Sequence, residues 1–202
     1  FWAIDNFKAS QRENKNQGNW HLGQLSEGTL PAGHQAKARL SEAMSKWDEA
    51  AADQAIAAWG RTAGAAEVFE PLWRYGARDF RNIGHKIIYV ANTWRTLQTI
   101  GWRHNEAALR GLVYGLLDRN DNHPVDEKNE DILPWLENLE LAKKIRPNWQ
   151  QGLVQEGATI ELLQGLRSGD RKTACGAIVD QLNKNVSPAS VWDALFLRSG
   201  EL

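Results

Sequence analysis

Apolar residues recur at spacings of three and four from one end of the chain to the other, and no segment sustains the alternation that a half-buried strand requires. This periodicity constrains the fold more than any other feature. It predicts an all-α, multi-helix bundle, with helices over roughly 1–12, 33–46, 48–59, 65–75, 78–101, 105–117, 134–145, 158–167, 171–184 and 188–199. Asp48, Asn105, and Ser187 followed by Pro188 stand where N-caps and a first helical proline belong. Residues 13–32 and 118–131 lack periodicity and read as loops. Asp118, Asn120 and Asn122 imitate the opening of a calcium loop. His123, however, stands where that loop needs glycine, and Asn129 stands where it needs glutamate, so the segment reads as a solvated connection.

The chain also repeats itself. Asn19-Trp20, Gly23 and Glu27-Gly28 recur in order at Asn148-Trp149, Gly152 and Glu156-Gly157. Farther on, Ala55-Ile56 matches Ala177-Ile178, Val68-Phe69 and Leu72 match Val191-Trp192 and Leu195, and Gly76 matches Gly200. The expected organisation is two tandem repeats of about 125–130 residues, far longer than a solenoid unit, so that each copy is a layer of several helices. The first repeat covers 1–117, a polar loop 118–133, and the second repeat 134–202, the whole forming one compact domain. Both ends read as cut. The second copy reads as truncated, because no counterpart of the helix at 78–101 follows it, and a site between paired helices would be half present.

Composition excludes several classes of function. Twenty-four basic and twenty-five acidic residues leave a net charge of −1, which gives no overall pull toward nucleic acid or an anionic membrane. No stretch approaches the ~18–20 apolar residues of a membrane span, and the N-terminus has no signal-peptide pattern, so a cytoplasmic location is expected. The single cysteine, Cys175, has no partner in the chain and reads as a buried structural thiol. Of the ten tryptophans, most are expected in the core, with one or two lining a pocket. The five histidines include no pair at metal-ligand spacing, so no metal is expected. No phosphate loop or dinucleotide fingerprint is present. The sequence names no cofactor and leaves the oligomeric state open.

Chemistry concentrates at 78–101. Ile83, Ile87, Val90, Trp94 and Leu97 form one stripe, read as core, and Arg78, Arg81, His85, Tyr89, Asn92, Thr96 and Thr99 form another. The run Ile87-Ile88-Tyr89-Val90-Ala91 is apolar around more than a turn. The helix is therefore expected to be buried on most sides, with its polar stripe satisfied inside a bundle. Gly84, in the helix interior, would admit a neighbouring helix or a bound molecule. His85 suits acid or base work near neutral pH. Tyr89 and Asn92 would orient an oxygen, and Arg78 and Arg81 would fix an anionic group or pair with Asp79, Glu67 and Glu70. The competing reading makes the stripe packing or partner contact on a non-catalytic scaffold or binding module.

The segments GARDFRNIGHKIIYVANTWRTLQTIGW and SPASVWDALFLRSGEL resemble an uncharacterised group of bacterial all-helical proteins, itself distantly similar to the questin oxidase-like family. The resemblance covers 78–101 and 187–202 well and the remainder loosely. It implies an oxidoreductase of Baeyer-Villiger type without a recognisable flavin-binding fold, acting on an aromatic or bulky apolar molecule held between repeats. His85 would be the acid or base, Arg81, Tyr89 and Asn92 would contact substrate, and Trp94 would form a wall.

Overall fold

A computed structural model describes residues 2–16, 18, 21–78, 84–118 and 132–202, without the side chains of Ala3 and Ser168. The chain divides into two units, 1–125 and 126–202. The first holds α1 (Trp2–Asn16), α2 (Gly33–Lys46), α3 (Glu49–Thr62), α4 (Ala65–Gly76), α5 (His85–Ile100) and α6 (Asn105–Leu117). The second holds α7 (Leu133–Ala142), α8 (Glu156–Ser168), α9 (Arg171–Asn183) and α10 (Pro188–Gly200). The protein is all-α: among the described residues the only extended pairing is an isolated parallel bridge between Leu153 and Val186. No described helix is long and apolar enough to cross a membrane.

Local chemistry accounts for several helix ends. The Asp48 carboxylate accepts from the Ala51 amide at 3.0 Å, and Ser187 accepts from the Ala189 amide ahead of Pro188. Asp170 caps α9 by accepting from the Lys172 and Thr173 amides. The α2 helix ends at Trp47, which takes the left-handed conformation at φ 57° and returns its N–H to the Ala43 carbonyl. Asn105, expected as a cap, does something else: its amide donates 2.9 Å across to the Gly60 carbonyl of α3. Gly60 is held to glycine at that crossing, since a Cβ there would lie 2.8 Å from the Asn105 side-chain oxygen.

The core of the first unit is built from Leu40 and Met44 of α2, Ile56 and Trp59 of α3, Val68, Phe69 and Leu72 of α4, Val90 and Leu97 of α5, and Leu109, Val113 and Leu116 of α6. Burying each such side chain stabilises by about 1.5–3 kcal/mol. The alanine-rich face of α3 lets α2 pack on one side and α6 on the other. The α4, α5 and α6 helices continue as successive packed neighbours.

The second unit is smaller. Leu162, Leu182, Val191 and Ala194 make its centre, with Ile145, Trp149, Leu166 and Ile178 packed around them. The α8 and α10 helices lie side by side and run in the same direction. Near their starts the Ser190 hydroxyl accepts from the Gln155 amide and the Ser190 carbonyl accepts from Thr159, while Arg167 pairs with Glu201 at their ends. Arg146 holds the turn after α9 by donating to the Leu182 carbonyl and to Asn185. Cys175 is half-buried on α9, and burial pushes its thiol pKa up.

Three expectations are corrected. The helix at 78–101 is not continuous: Gly84 takes φ +76° just before α5, and a Cβ on it would meet no atom of the described residues within 4 Å, so among these the glycine serves backbone conformation rather than close approach. The α5 helix is not buried on most sides either: Ile87 and Ile88 are exposed, and the buried residue of that turn is Lys86, which lies in neither expected stripe. Of the tryptophans whose side chains are described, only Trp47 and Trp59 are buried, and Trp2, Trp73 and Trp192 are exposed.

Candidate functional site

The buried line of α5 runs through Lys86, Val90 and Leu97, one residue round the helix from the expected stripe at its start. Lys86 donates from Nζ to the Leu116 carbonyl at 3.0 Å, in the last turn of α6. Arg78 is buried as well and donates to the Met44 carbonyl at 2.6 Å, in the last turn of α2. Both cations therefore sit where helix carbonyls lack partners and the helix dipole is negative. Both also lie against one ring: the Arg78 guanidinium carbon is 3.8 Å, and the Lys86 ammonium 5.0 Å, from the centre of Trp47. These contacts tie the ends of α2 and α6 to the start of α5.

The polar stripe divides along its length. His85 opens α5, half-buried, with its ring stacked on Tyr89 one turn later at 6.3 Å between centroids. Tyr89 leans on Gly115 of α6, where a Cβ would come within 3.3 Å of its ring. Asn92 is exposed and accepts from Arg95 at 3.3 Å, and Thr96 and Thr99 are exposed too. Trp94 belongs to a different contact, edge-on to Phe69 of α4 at 4.9 Å. The structure thus brings His85 and Tyr89 together, turns Asn92 to solvent and places Trp94 in the α4–α5 seam. Arg81 lies outside the described residues, as do Ile83 and the matched pair Asn19-Trp20.

A second polar centre, which the sequence did not single out, joins α3 to α6. Arg110 donates from Nε and a terminal nitrogen to both oxygens of Asp53, at 2.7 and 2.8 Å, and also to the Gly23 carbonyl at 2.6 Å. Both residues are buried. One turn on, burial holds the Tyr114 hydroxyl pKa above its ordinary value, reinforced by the charges of Asp53 and Glu49. The geometry is that of a structural ion pair, with Nε and one terminal nitrogen of Arg110 both bonded to oxygens of the protein.

Three clefts are described. One of about 410 Å³ in the first unit is lined by Gln35, Arg39, Glu42, Lys46, Asp48 and Gln54 among others. An open hollow near the start of α6 includes Arg103, His104 and Glu106. A groove of about 310 Å³ between α7 and α9 includes Glu137, Leu141, Arg171, Lys172 and Cys175. None of their lining residues belongs to the His85 stripe. Among the described residues no group of three or more His, Cys, Asp or Glu side chains could hold a metal ion.

The feature of the second unit that stands out is apolar and exposed. On α10, Trp192 is 57% and Phe196 69% exposed, their rings stacked at 5.8 Å, and Leu197 beside them is also open. The residue matched to Trp192 on α4, Phe69, is 1% exposed, whereas Trp73 one turn later is 37% exposed. The sequence match pairs Trp192 with Phe69, and nothing in the local sequence distinguishes its outward ring from a buried one. No family model, curated protein or solved structure matches this chain.

Proposed function

We propose that this chain is a helical binding module whose contact surface is the outer face of α10. The observation that carries the reading is the Trp192–Phe196 stack, two large aromatic side chains in the open beside exposed Leu197. Contiguous exposed apolar surface on a folded domain is the common signature of a protein contact, and tryptophan supplies much of the energy of such contacts. The buried charges of the first unit support the same reading, because Lys86, Arg78 and Arg110 each spend hydrogen bonds on protein carbonyls or on Asp53. A cytoplasmic setting goes with it, supported by the one half-buried cysteine, and the near-neutral charge favours a protein over nucleic acid.

A second reading rests on a different observation. The half-buried His85–Tyr89 stack pairs a histidine with a phenol at the start of α5. In a questin oxidase-like oxygenase, His85 would move a proton for an aromatic or bulky apolar substrate, with Tyr89, Asn92 and Arg81 as polar contacts and Trp94 as wall. The two readings separate in one experiment. Thermal shifts are measured with a panel of aromatic ketones and quinones on the unaltered chain and on His85→Gln, and binding of a hydrophobic dye is measured on the unaltered chain and on Trp192→Asp/Phe196→Asp. The module reading expects no ketone-dependent shift and dye binding that falls in the double variant while its melting temperature holds. Ketone stabilisation that disappears in His85→Gln would support a small-molecule site at His85 and so the oxygenase reading instead.

A further inference from the structure

We infer that residues 22–31 form a strap along the α3–α6 seam, latched by Arg61, that opens as a unit while the helices beneath it stay folded. The inference is independent of the α10 surface and gives the first unit a moving part.

The seam between α3 and α6 is charged at two levels. Asp53 and Arg110 meet at one, and at the other Arg61 donates from Nε to Glu106 at 2.8 Å. Residues 22–31 run past both. The Gly23 carbonyl accepts from a terminal nitrogen of Arg110 at 2.6 Å, and four residues later both oxygens of Glu27 accept from a terminal nitrogen of Arg61 at 2.9 Å. The chain then enters α2 at Gly33, where a Cβ would lie 2.8 Å from the Thr62 side chain. That close crossing fixes one end of the strap to the end of α3, and the strap hinges there.

The strap is separable from what it covers. None of residues 22–31 is buried, whereas Asp53 and Arg110 are. A segment that buries so little apolar surface opens at small cost. The backbone hydrogen bond from the Thr29 amide to the Ser26 carbonyl closes the one 3-10 turn at Glu27–Thr29, lies within the strap and survives its opening. Arg110 keeps both bonds to Asp53 when Gly23 leaves, so α3 and α6 stay joined. Of the two attachments, the one at Arg61 is the more exposed: the Glu27 side chain is 77% open to solvent, which makes the pair weak and sensitive to salt. Opening frees the terminal nitrogens that Gly23 and Glu27 now hold, and gives solvent a path to the buried pair.

Limited chymotrypsin digestion of the full 202-residue chain, with the cuts located by mass spectrometry, reads the opening at Leu22, Leu25 and Leu30, while amide exchange of α3 and α6 reads the core. In the unaltered chain the strap should be cut before either helix, yet more slowly than in urea-unfolded protein. Glu27→Gln removes the latch and keeps the Arg61–Glu106 pair. It should raise the rate of strap cleavage about threefold and leave the protection of α3 and α6 unchanged. Arg61→Gln should raise the rate at least as much, and adding Glu27→Gln to it should bring no further rise. Glu106→Gln is the control, since it removes the pair between the helices and keeps the latch, and strap cleavage should rise less than in Glu27→Gln. At about 1 M salt the ratio of the Glu27→Gln rate to the unaltered rate should fall toward one. Strap cleavage unchanged in both Glu27→Gln and Arg61→Gln overturns the inference, as does an equal rise in Glu106→Gln. Loss of protection in α3 and α6 that keeps pace with strap cleavage would show that the segment belongs to the core, and cleavage of the unaltered strap at the unfolded rate would show that nothing latches it; either result also overturns the inference.

Discussion

The two units handle the same helical problem in opposite ways. The first covers its α4 face with α5 and draws four charged side chains, Asp53, Arg78, Lys86 and Arg110, into its interior. In the second unit, among the described residues, the buried polar side chains are the neutral Gln181 and Ser190, and the aromatic rings of α10 stay outside. A large core can surround a charge with enough carbonyls and counter-charge to satisfy it. A centre of four small and medium apolar residues has less depth in which to satisfy a charge, and part of the apolar surface of α10 stays exposed.

The largest expected effect tests the interior of the first unit. Asp53→Ala leaves Arg110 buried without its counter-charge and should cost about 3–5 kcal/mol, a substantial share of the roughly 5–15 kcal/mol that holds a typical domain. Urea denaturation measures the loss, and amide exchange locates it: α3 and α6 should lose protection while α8 to α10 keep theirs. Asp53→Leu combined with Arg110→Met should recover most of the stability, because no charge is then stranded. Equal losses of protection in both units would break the contrast.

The matched aromatic positions come next. Phe69→Ala empties a space that Trp94 and the α4 neighbours enclose and should destabilise by about 3–5 kcal/mol. Trp192→Ala removes a larger side chain that touches less, and should change stability by no more than about 0.5 kcal/mol. A cost at Trp192 comparable to that at Phe69 would mean that the α10 face is already covered in the free protein.

How far the sequence could be read follows from which forces are local. The α2 and α6 spans agree with the periodicity at both ends, and Asp48, Ser187 and Pro188 act as their side chains dictate, because capping is settled within one turn. Periodicity places the start of α5 too early, because spacing alone does not distinguish a glycine in the left-handed region, as Gly84 is, from a weak helix residue. Lys86 falls outside the apolar stripe because it is charged, although Lys86, Val90 and Leu97 are in helical register. The Asp53–Arg110 pair joins residues 57 positions apart, so no local pattern links them, yet a lone aspartate in the run AAADQAIAAW was a sign that something must meet it. His85 and Tyr89 share a face as spacing requires, whereas the depth of that face, and the exposure of Asn92, depends on which helices lie alongside. Trp192 shows the same limit: periodicity assigns a side chain to a face, and only tertiary structure decides whether the face is covered.

The smallest expected effect concerns acid. In the second unit Asp170 accepts hydrogen bonds from the Thr173 backbone and hydroxyl and from the Lys172 amide, which holds its carboxyl below the ordinary aspartate value of about 3.9. A carboxyl whose folded pKa is depressed contributes its full stabilisation above the unfolded value. The contribution shrinks as pH falls through the folded pKa, and it is gone below both. Glu201, held low chiefly by its hydrogen bond from Arg167, follows the same sign. Asp170→Asn keeps an acceptor oxygen at the head of α9 but removes the titration. The melting-temperature difference between the unaltered chain and Asp170→Asn should therefore be constant at neutral pH and narrow between about pH 5 and pH 2. Because these carboxylates are exposed, added salt should shrink the charge-dependent part of the difference, and a gap that survives at the acid end would show that the Asp170 cap acts through hydrogen-bond geometry alone.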